Sequence, residues 1–78
     1  MVTAGIDIGH ESVTVVILHD DGTLGHATFV ISGEVGAVAR LALEQTLDRL
    51  GLVRAGIHRI FATGIGRESV ALADGHRT

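Results

Sequence analysis

Hydrophobic positions along the chain predict three strands before the first helix. Val2 to Ile8 form a short run rich in β-branched residues, and Val13 to His19 form a nearly continuous apolar run. A continuous run of this kind is typical of a central strand that is covered on both faces. The turn from Asp20 to Gly22 precedes a third strand from Leu24 to Ile31, because Asp-Gly between two β-rich runs is a strong hairpin signal.

A stripe of apolar residues at helical spacing predicts one main helix after the third strand. It consists of Val35, Ala39, Ala42, Leu43, Leu47 and Leu50. Ser32 is expected to cap the N-terminus of this helix, and Glu34 to place a negative charge in its first turn. Gly51 follows the stripe directly and suits the left-handed residue that ends a helix.

The remaining segment predicts a fourth strand from Ile57 to Ala62, a glycine-containing turn from Thr63 to Arg67, and the start of a second helix from Glu68 to Ala73. In the order β-β-β-α-β, the first three strands form an antiparallel meander and the helix crosses over to a fourth strand. That strand then lies parallel to the first, which gives the spatial order 3-2-1-4. The sequence therefore predicts an α/β fold, a ribonuclease-H-like partial lobe with a mixed sheet and one main helix, in a single domain over residues 1–78.

The second predicted strand is apolar on both faces. Val13, Val15 and Ile17 share one face, and Val16 and Leu18 share the other. One helix covers only one face of a sheet. We therefore expect the other face to be covered by the C-terminal segment, by a partner or by a second copy, and a chain limited to these residues to self-associate.

Composition narrows the classes of partner. The net charge is −3, no Lys is present and only two residues are aromatic, so an acidic chain without a basic stripe argues against nucleic-acid binding. No Cys is present, so the chain forms no disulfide and offers no Cys ligand to a metal. The longest apolar run, from Val13 to Leu18, is too short to span a bilayer, and no secretory signal pattern is recognisable. These features favour a cytoplasmic protein that binds neither nucleic acid nor a membrane.

The first candidate site is the segment from Gly5 to Gly9, with Asp7 at its centre, and the turn that follows it. Amides in such a turn can form a cup for anionic oxygens, and Gly9 lets the backbone approach closely. The Asp7 carboxylate at the edge of the cup can hold the hydration shell of Mg²⁺, which often uses only one or two protein carboxylates. An ordinary hairpin, whose Asp bonds to its own turn backbone, is the open alternative.

The second candidate site is the segment Thr63-Gly64-Ile65-Gly66-Arg67, which follows a predicted strand. A strand that leads through such a loop into a helix is a common phosphate-binding arrangement. The segment lacks the third Gly of a dinucleotide-binding fingerprint, and a loop that needs two glycines for its backbone angles is the alternative. The five His residues show no metal-ligand spacing, and His10 and Glu11 are interpreted as solvated turn residues.

Taken together, three elements resemble the N-terminal part of the BadF/BadG/BcrA/BcrD ATPases. They are the opening segment from Ala4 to Gly9, Asp21-Gly22 at the hairpin, and the segment from Ala62 to Arg67 after the fourth strand. These ATPases include the ATPase subunits of benzoyl-CoA reductase and the activators of 2-hydroxyacyl-CoA dehydratases. The opening motif alone is shared by the wider actin/hexokinase superfamily, whereas the Thr-Gly-x-Gly-Arg element is specific to the activator-like group.

The resemblance implies a nucleotide-binding role for the residues of both segments. The opening loop with Gly5, Gly9 and Ser12 would hold the ATP phosphates, with Asp7 near Mg²⁺, and Gly64 and Gly66 would shape the opposite wall. Members of the family are homodimers in which ATP hydrolysis drives low-potential electron transfer. Their iron–sulfur cluster is held at the dimer interface by cysteines that this sequence does not contain.

The loop departs from the family pattern at two positions. Glu11 stands where the family has a small hydroxyl residue, and Thr14 stands where it has a Lys. Glu11 adds a negative charge beside the phosphates, and Thr14 removes a positive one, so we expect weak or absent ATP binding. Together with the short length, this predicts a nucleotide-binding fragment or subunit without turnover of its own. A non-catalytic scaffold or regulatory module with a degenerate loop is the alternative, and a fragment of a sugar or acetate kinase is a further one.

Overall fold

The computed structural model describes residues 1–20, 22–64 and 75–77, the last three for their backbone alone. In chain order, its elements are β1 Val2–Ile8, β2 Ser12–His19, β3 Gly22–Val30, α1 Val35–Leu50, a single 3-10 turn Arg54–Gly56, β4 Arg59–Gly64 and β5 Gly75–Arg77. All five strands belong to one sheet, and α1 packs on it.

The strand order in the sheet is β3-β2-β1-β4-β5. The strands β1, β2 and β3 form the predicted antiparallel meander, and β4 lies parallel to β1. This confirms the predicted order 3-2-1-4 and the mixed sheet. The short β5, which the sequence pattern did not predict, adds a second parallel neighbour to β4.

The core lies between α1 and one face of the sheet. The alternation of side chains along a strand places every second residue on this face, and the helical stripe faces them. Val13, Val15 and Ile17 of β2, which were predicted to share one face, are fully buried there against Leu43 and its neighbours. Among the residues whose side chains the structure describes, the buried apolar ones are Ala4, Ile6, Ile8, Val13, Val15, Ile17, Ala39, Ala42, Leu43, Leu47, Ile57, Ile60 and Ala62.

Both ends of α1 have a defined cap. At the C-terminus, Gly51 adopts the predicted left-handed conformation with a φ of 72°. At the N-terminus the prediction of Ser32 as cap was wrong, because Glu34 occupies this position. Its carboxylate accepts hydrogen bonds from the amides of Gly36 at 2.9 Å and Ala37 at 2.7 Å, which satisfies two donors of the first helical turn.

The fourth strand is shifted towards the C-terminus relative to the prediction. Ile57 and His58 precede β4, whereas Thr63 and Gly64, predicted in a turn, belong to it. The reason is tertiary, since these two residues pair in parallel with Asp7 and Ile8 of β1. The rest of the predicted turn and the predicted helix from Glu68 to Ala73 lie outside the described residues.

The face of the sheet opposite α1 retains apolar surface. Leu18 is 40% exposed and Leu24 46% exposed, and Val16, which shares the face of Leu18 on β2, is half-buried. Leu24 is the extra residue of a bulge that shifts the register of β3 against β2. The expectation that a further element or partner covers this face remains a prediction. No helix among the described residues combines the length and apolar character needed to cross a membrane.

Candidate functional site

Asp7 stands on the face of the sheet opposite α1, near the end of β1. Its neighbours Ile6 and Ile8 are buried in the core, so strand alternation turns Asp7 to the other face, where it is exposed. A carboxylate in this position keeps its hydration and is open to a ligand. The sequence motif therefore identified an accessible acidic group at the end of a central strand.

A row of polar side chains crosses four strands at the level of Asp7. In register, Thr14 of β2 lies beside Asp7 on one side and Thr63 of β4 on the other, and Thr28 of β3 lies beside Thr14. The Thr63 hydroxyl donates a hydrogen bond of 3.1 Å to Oδ1 of Asp7. The hydroxyl oxygens of Thr14 and Thr28 lie 3.0 Å apart and form a second hydrogen bond.

The turn after β1 is a tight hairpin closed by Gly9 and Ser12. The Gly9 amide donates to the Ser12 carbonyl at 2.9 Å, so this amide is used within the turn. The Glu11 carbonyl accepts from the amide of Ile31 at 2.8 Å, which ties the turn to the end of β3. No hydrogen bond among the described residues engages the amides of His10 and Glu11.

The backbone of this turn differs from an anion-binding nest, in which a right-handed residue alternates with a left-handed one. None of the residues from Gly9 to Ser12 has a positive φ. A Cβ atom on Gly9 would meet the Ser12 carbonyl oxygen at 3.6 Å, an ordinary contact. The close backbone approach expected of Gly9 is therefore not required by the turn itself.

The glycines predicted to flank the site lie in different surroundings. Gly5 pairs with Val16 and Phe61, one row away from Asp7 on the same face, and a Cβ atom there would meet nothing within 4 Å. Gly64 has a φ of 92° and lies directly against the backbone of Ile8. Gly66, also predicted at the site, lies outside the described residues.

The charged residues around Asp7 differ on its two sides. Glu11 is exposed in the adjoining turn, whereas Arg77 of β5 is the register partner of Thr63, which itself pairs with Asp7. Thr14 occupies the other register position next to Asp7, where the sequence resemblance implies a Lys. The Arg of β4, Arg59, pairs with Thr3, four residues before Asp7 on β1 and therefore roughly 13 Å away along the strand. Its guanidinium lies 5.7 Å from the ring centre of Phe61, in a cation–π contact.

The potential metal ligands around Asp7 suit a hydrated Mg²⁺ better than a metal that is coordinated by protein side chains alone. Within the described residues, no three or more His, Cys, Asp or Glu side chains converge on a common point. Thr63 donates a hydrogen bond to one oxygen of the exposed Asp7 carboxylate, and in the described part of the chain no hydrogen bond or ion pair engages the other oxygen. Mg²⁺ commonly keeps several waters and uses one or two carboxylates, which agrees with this arrangement.

Thr63 was missed as a site residue in the sequence, although it lies in the second candidate segment. The signal was available, because a fourth strand parallel to the first brings residues at the ends of both strands together. The error lay in the assignment of Thr63 to a turn rather than to the strand.

Comparisons with known proteins show that the fold of this chain matches that of two dehydratase activators. No protein-family model matches the chain, and no curated protein sequence matches it. Among solved structures, the activator of the 2-hydroxyisocaproyl-CoA dehydratase from Clostridium difficile, with bound ADPNP, is 31% identical and superposes with a TM-score of 0.87 over 99% of this chain. Component A of the (R)-2-hydroxyglutaryl-CoA dehydratase from Acidaminococcus fermentans is 22% identical, with a TM-score of 0.89 over 99% of this chain, and shows the same fold.

The chain corresponds to 29% of the Clostridium difficile activator and 30% of the Acidaminococcus fermentans component. The likeness therefore concerns a segment of those proteins. With its strand order, its helix and its opening motif, the chain has the fold of the dehydratase activators and fits the family of activator-type ATPases that its motifs resemble.

Proposed function

We propose that this chain is a nucleotide-binding segment of an activator-type ATPase that serves an acyl-CoA reductase or dehydratase system. The observation that carries the proposal is the exposed Asp7 carboxylate at the end of β1, held by Thr63, in a chain whose fold matches an activator solved with bound ADPNP. The cofactors implied are ATP and Mg²⁺.

The residues of the site would act by binding and orientation. Asp7 would hold the hydration shell of Mg²⁺, whose chemistry is to neutralise phosphate charge. The turn with Gly9 and Ser12 adjoins Asp7, and the unengaged amides of its two central residues are available to phosphate oxygens. Gly5 and Gly64 leave the neighbouring surface free of bulky side chains. By the resemblance, Gly66 would contribute to the same phosphate-binding segment.

We expect the binding to be weak and the chain alone not to hydrolyse ATP. No Lys is present in the sequence, Arg59 is remote from Asp7, and among the described residues only the Arg77 position of β5 lies in the same row of the sheet, so we expect the divalent cation to neutralise most of the phosphate charge. Glu11 in the turn opposes the approach of phosphate. The affinity for Mg-ATP is therefore expected to be micromolar or weaker.

Isothermal titration of the full chain with Mg-ATP tests the proposal. Weak saturable binding that Asp7→Asn removes, and that Glu44→Gln on the outer side of α1 leaves unchanged, would support it. Binding that is equal in wild type and Asp7→Asn, or no binding up to millimolar nucleotide, would contradict it. Submicromolar binding or measurable hydrolysis would contradict the expectation of a weak, inactive site.

A non-catalytic scaffold or regulatory module is the second candidate. The observation that favours it is the hydrogen bond between Thr14 and Thr28. Thr14 stands where the resemblance implies a Lys, so a neutral pair of hydroxyls replaces a positive charge. The double variant Glu11→Thr/Thr14→Lys separates the two candidates. If the double variant gains nucleotide binding, the turn after β1 is still able to bind phosphate and the natural sequence has lost its ligand. If nucleotide binding does not change, the result favours a loop without a phosphate-binding role.

The partner and location belong to the same proposal. By analogy with the family, we propose a homodimer or another protein subunit as partner, in the cytoplasm. An iron–sulfur cluster would take no Cys ligand from this chain, which has none. The third alternative, a sugar or acetate kinase fragment, has no observation in its favour beyond the opening motif.

A further inference from the structure

We propose that Thr63 is a positioning residue that fixes the orientation of the Asp7 carboxylate, so that the oxygen it does not bind faces outward for a hydrated cation. The proposal rests on the nucleotide-binding function proposed above and assigns a role within it. It concerns a side chain of β4 that acts through Asp7 rather than on the ligand.

The strand pairing brings the two side chains together. Asp7 and Thr63 are register partners in the parallel pair of β1 and β4, and they share the face opposite α1. The distance from the Thr63 hydroxyl oxygen to Oδ1 of Asp7 is 3.1 Å. A carboxylate has no hydrogen to donate, so the Thr63 hydroxyl is the donor.

The position of Thr63 is itself constrained by the next residue. Gly64 lies against the backbone of Ile8, so the end of β4 is held close to β1. Thr is β-branched and therefore stiff at χ1, which limits the directions in which its hydroxyl can point. A fixed backbone and a stiff side chain together provide a fixed donor.

The consequence concerns the freedom of an exposed side chain. Asp7 is exposed, and among the described residues Thr63 is the one hydrogen-bond partner that holds its carboxylate. Without this hydrogen bond, binding of a ligand would include the entropic cost of ordering the Asp7 side chain. Partners that orient metal-binding groups typically change metal affinity by about 10- to 100-fold when they are removed.

The first test measures the orientation of Asp7 without any ligand. The α–β proton couplings of Asp7, measured by NMR on the full chain, are expected to indicate one χ1 rotamer in wild type and averaged rotamers in Thr63→Val. Thr63→Ser, which keeps the hydroxyl, is expected to retain the single rotamer. Thr63→Ala serves as a second hydroxyl-free variant if Thr63→Val fails to fold.

The second test measures binding with Mn²⁺ as the spectroscopic probe of the cation site. Titration of the full chain with Mn²⁺ and ATP, followed by electron paramagnetic resonance, is expected to give about tenfold weaker binding in the hydroxyl-free variants and near-wild-type binding in Thr63→Ser. Thr28→Val is the matched control, because it removes a hydroxyl from the same face that contacts Thr14 and not Asp7.

The outcomes separate this inference from the proposed function. Wild-type binding that Asp7→Asn removes but the hydroxyl-free variants of Thr63 do not change would overturn the positioning role alone. An equal loss of Mn²⁺ binding in Thr63→Ser and Thr63→Val would also overturn it, since the presence of the hydroxyl would then make no difference. Wild type that does not bind Mn²⁺ with ATP would overturn the proposed function, whatever the NMR couplings report.

Discussion

Gly64 in β4 lies so close to the backbone of Ile8 in β1 that there is no room for a side chain at this position. A Cβ atom on Gly64 would stand 2.8 Å from the carbonyl carbon of Ile8 and 2.9 Å from its amide nitrogen, and closer still to its carbonyl oxygen. The φ of 92° at Gly64 is also one that other residues rarely adopt. This contact fixes the ends of the two strands that carry Asp7 and Thr63.

The first prediction concerns this contact. Gly64→Ala is expected to lower the free energy of unfolding by about 2–4 kcal/mol, because the strands must separate locally and the backbone must adopt an unfavourable φ. Equilibrium unfolding in urea measures the change.

Gly5→Ala is the matched control for Gly64→Ala, since it lies in the adjacent strand with a negative or extended φ and open space at its Cβ position. We expect a change within about 1 kcal/mol, and a small gain in stability is the favoured direction. Equal destabilisation by both substitutions would contradict the close approach of β4 to β1.

The second prediction concerns the pH dependence of the cap of α1. Hydrogen bonds from the amides of Gly36 and then Ala37, together with the nearby charge of Arg40, hold the pKa of Glu34 below its usual value. A lowered pKa in the folded state means that ionised Glu34 stabilises the fold above the unfolded-state pKa. This contribution is lost as the pH falls through the folded-state pKa.

Unfolding of wild type and Glu34→Gln, compared from about pH 6 to about pH 3, tests this prediction. We expect wild type to be more stable than Glu34→Gln at the upper end of this pH range and the difference to diminish towards the lower end. Glu44→Gln, which removes an exposed carboxylate in the middle of the same helix, should not reproduce this pattern. A difference between wild type and Glu34→Gln that is constant with pH would argue against the cap.

The third prediction tests which side of α1 faces the core. Leu43 is 1% exposed and Leu41, two residues earlier, is 52% exposed. Leu43→Ala is expected to lower the free energy of unfolding by about 2–5 kcal/mol, and Leu41→Ala by less than about 0.5 kcal/mol. Circular dichroism during thermal unfolding distinguishes the two, and similar losses from both would contradict the packing of the helix.

The fourth prediction concerns the face of the sheet opposite α1, where Leu18 and Leu24 are exposed. We expect the chain to self-associate through this face as its concentration rises. Sedimentation velocity should show association in wild type and a monomer in Leu18→Glu. Leu41→Glu on the outer side of α1 is the control, and a wild-type chain that stays monomeric without binding an apolar dye would count against the prediction.

The sequence pattern predicted the elements that depend on local periodicity. The limits of β1, the division of β2 residues between two faces and the end of α1 at Gly51 all follow from alternation, helical spacing and glycine conformation. The strand order followed from the sequence of elements. These features needed no knowledge of particular contacts between distant residues.

The features that were missed depend on contacts that no local rule describes. In the sequence, Gly64 is typical of a turn residue. A glycine is needed there because a Cβ atom would clash with the backbone of Ile8, 56 positions earlier in the chain. Glu34 ranks low among capping residues, and its longer side chain caps the helix only because it folds back onto the amides of Gly36 and Ala37. For the site, Asp7 was predicted from its motif, whereas the hydrogen bond from Thr63 required the true extent of β4.

The charge arrangement around Asp7 also has a kinetic consequence. Asp7 and Glu11 adjoin one another at the end of β1, whereas Arg59 of β4 lies at its opposite end and Arg77 of β5 pairs with Thr63 on the other side of Asp7. On the side of the turn, the two carboxylates slow the approach of a free polyanion and speed that of a divalent cation, and salt screens both effects. A nucleotide that already carries a divalent cation has less negative charge. It would therefore encounter the site faster than a free nucleotide, and the metal-bound form would be favoured before any contact is made.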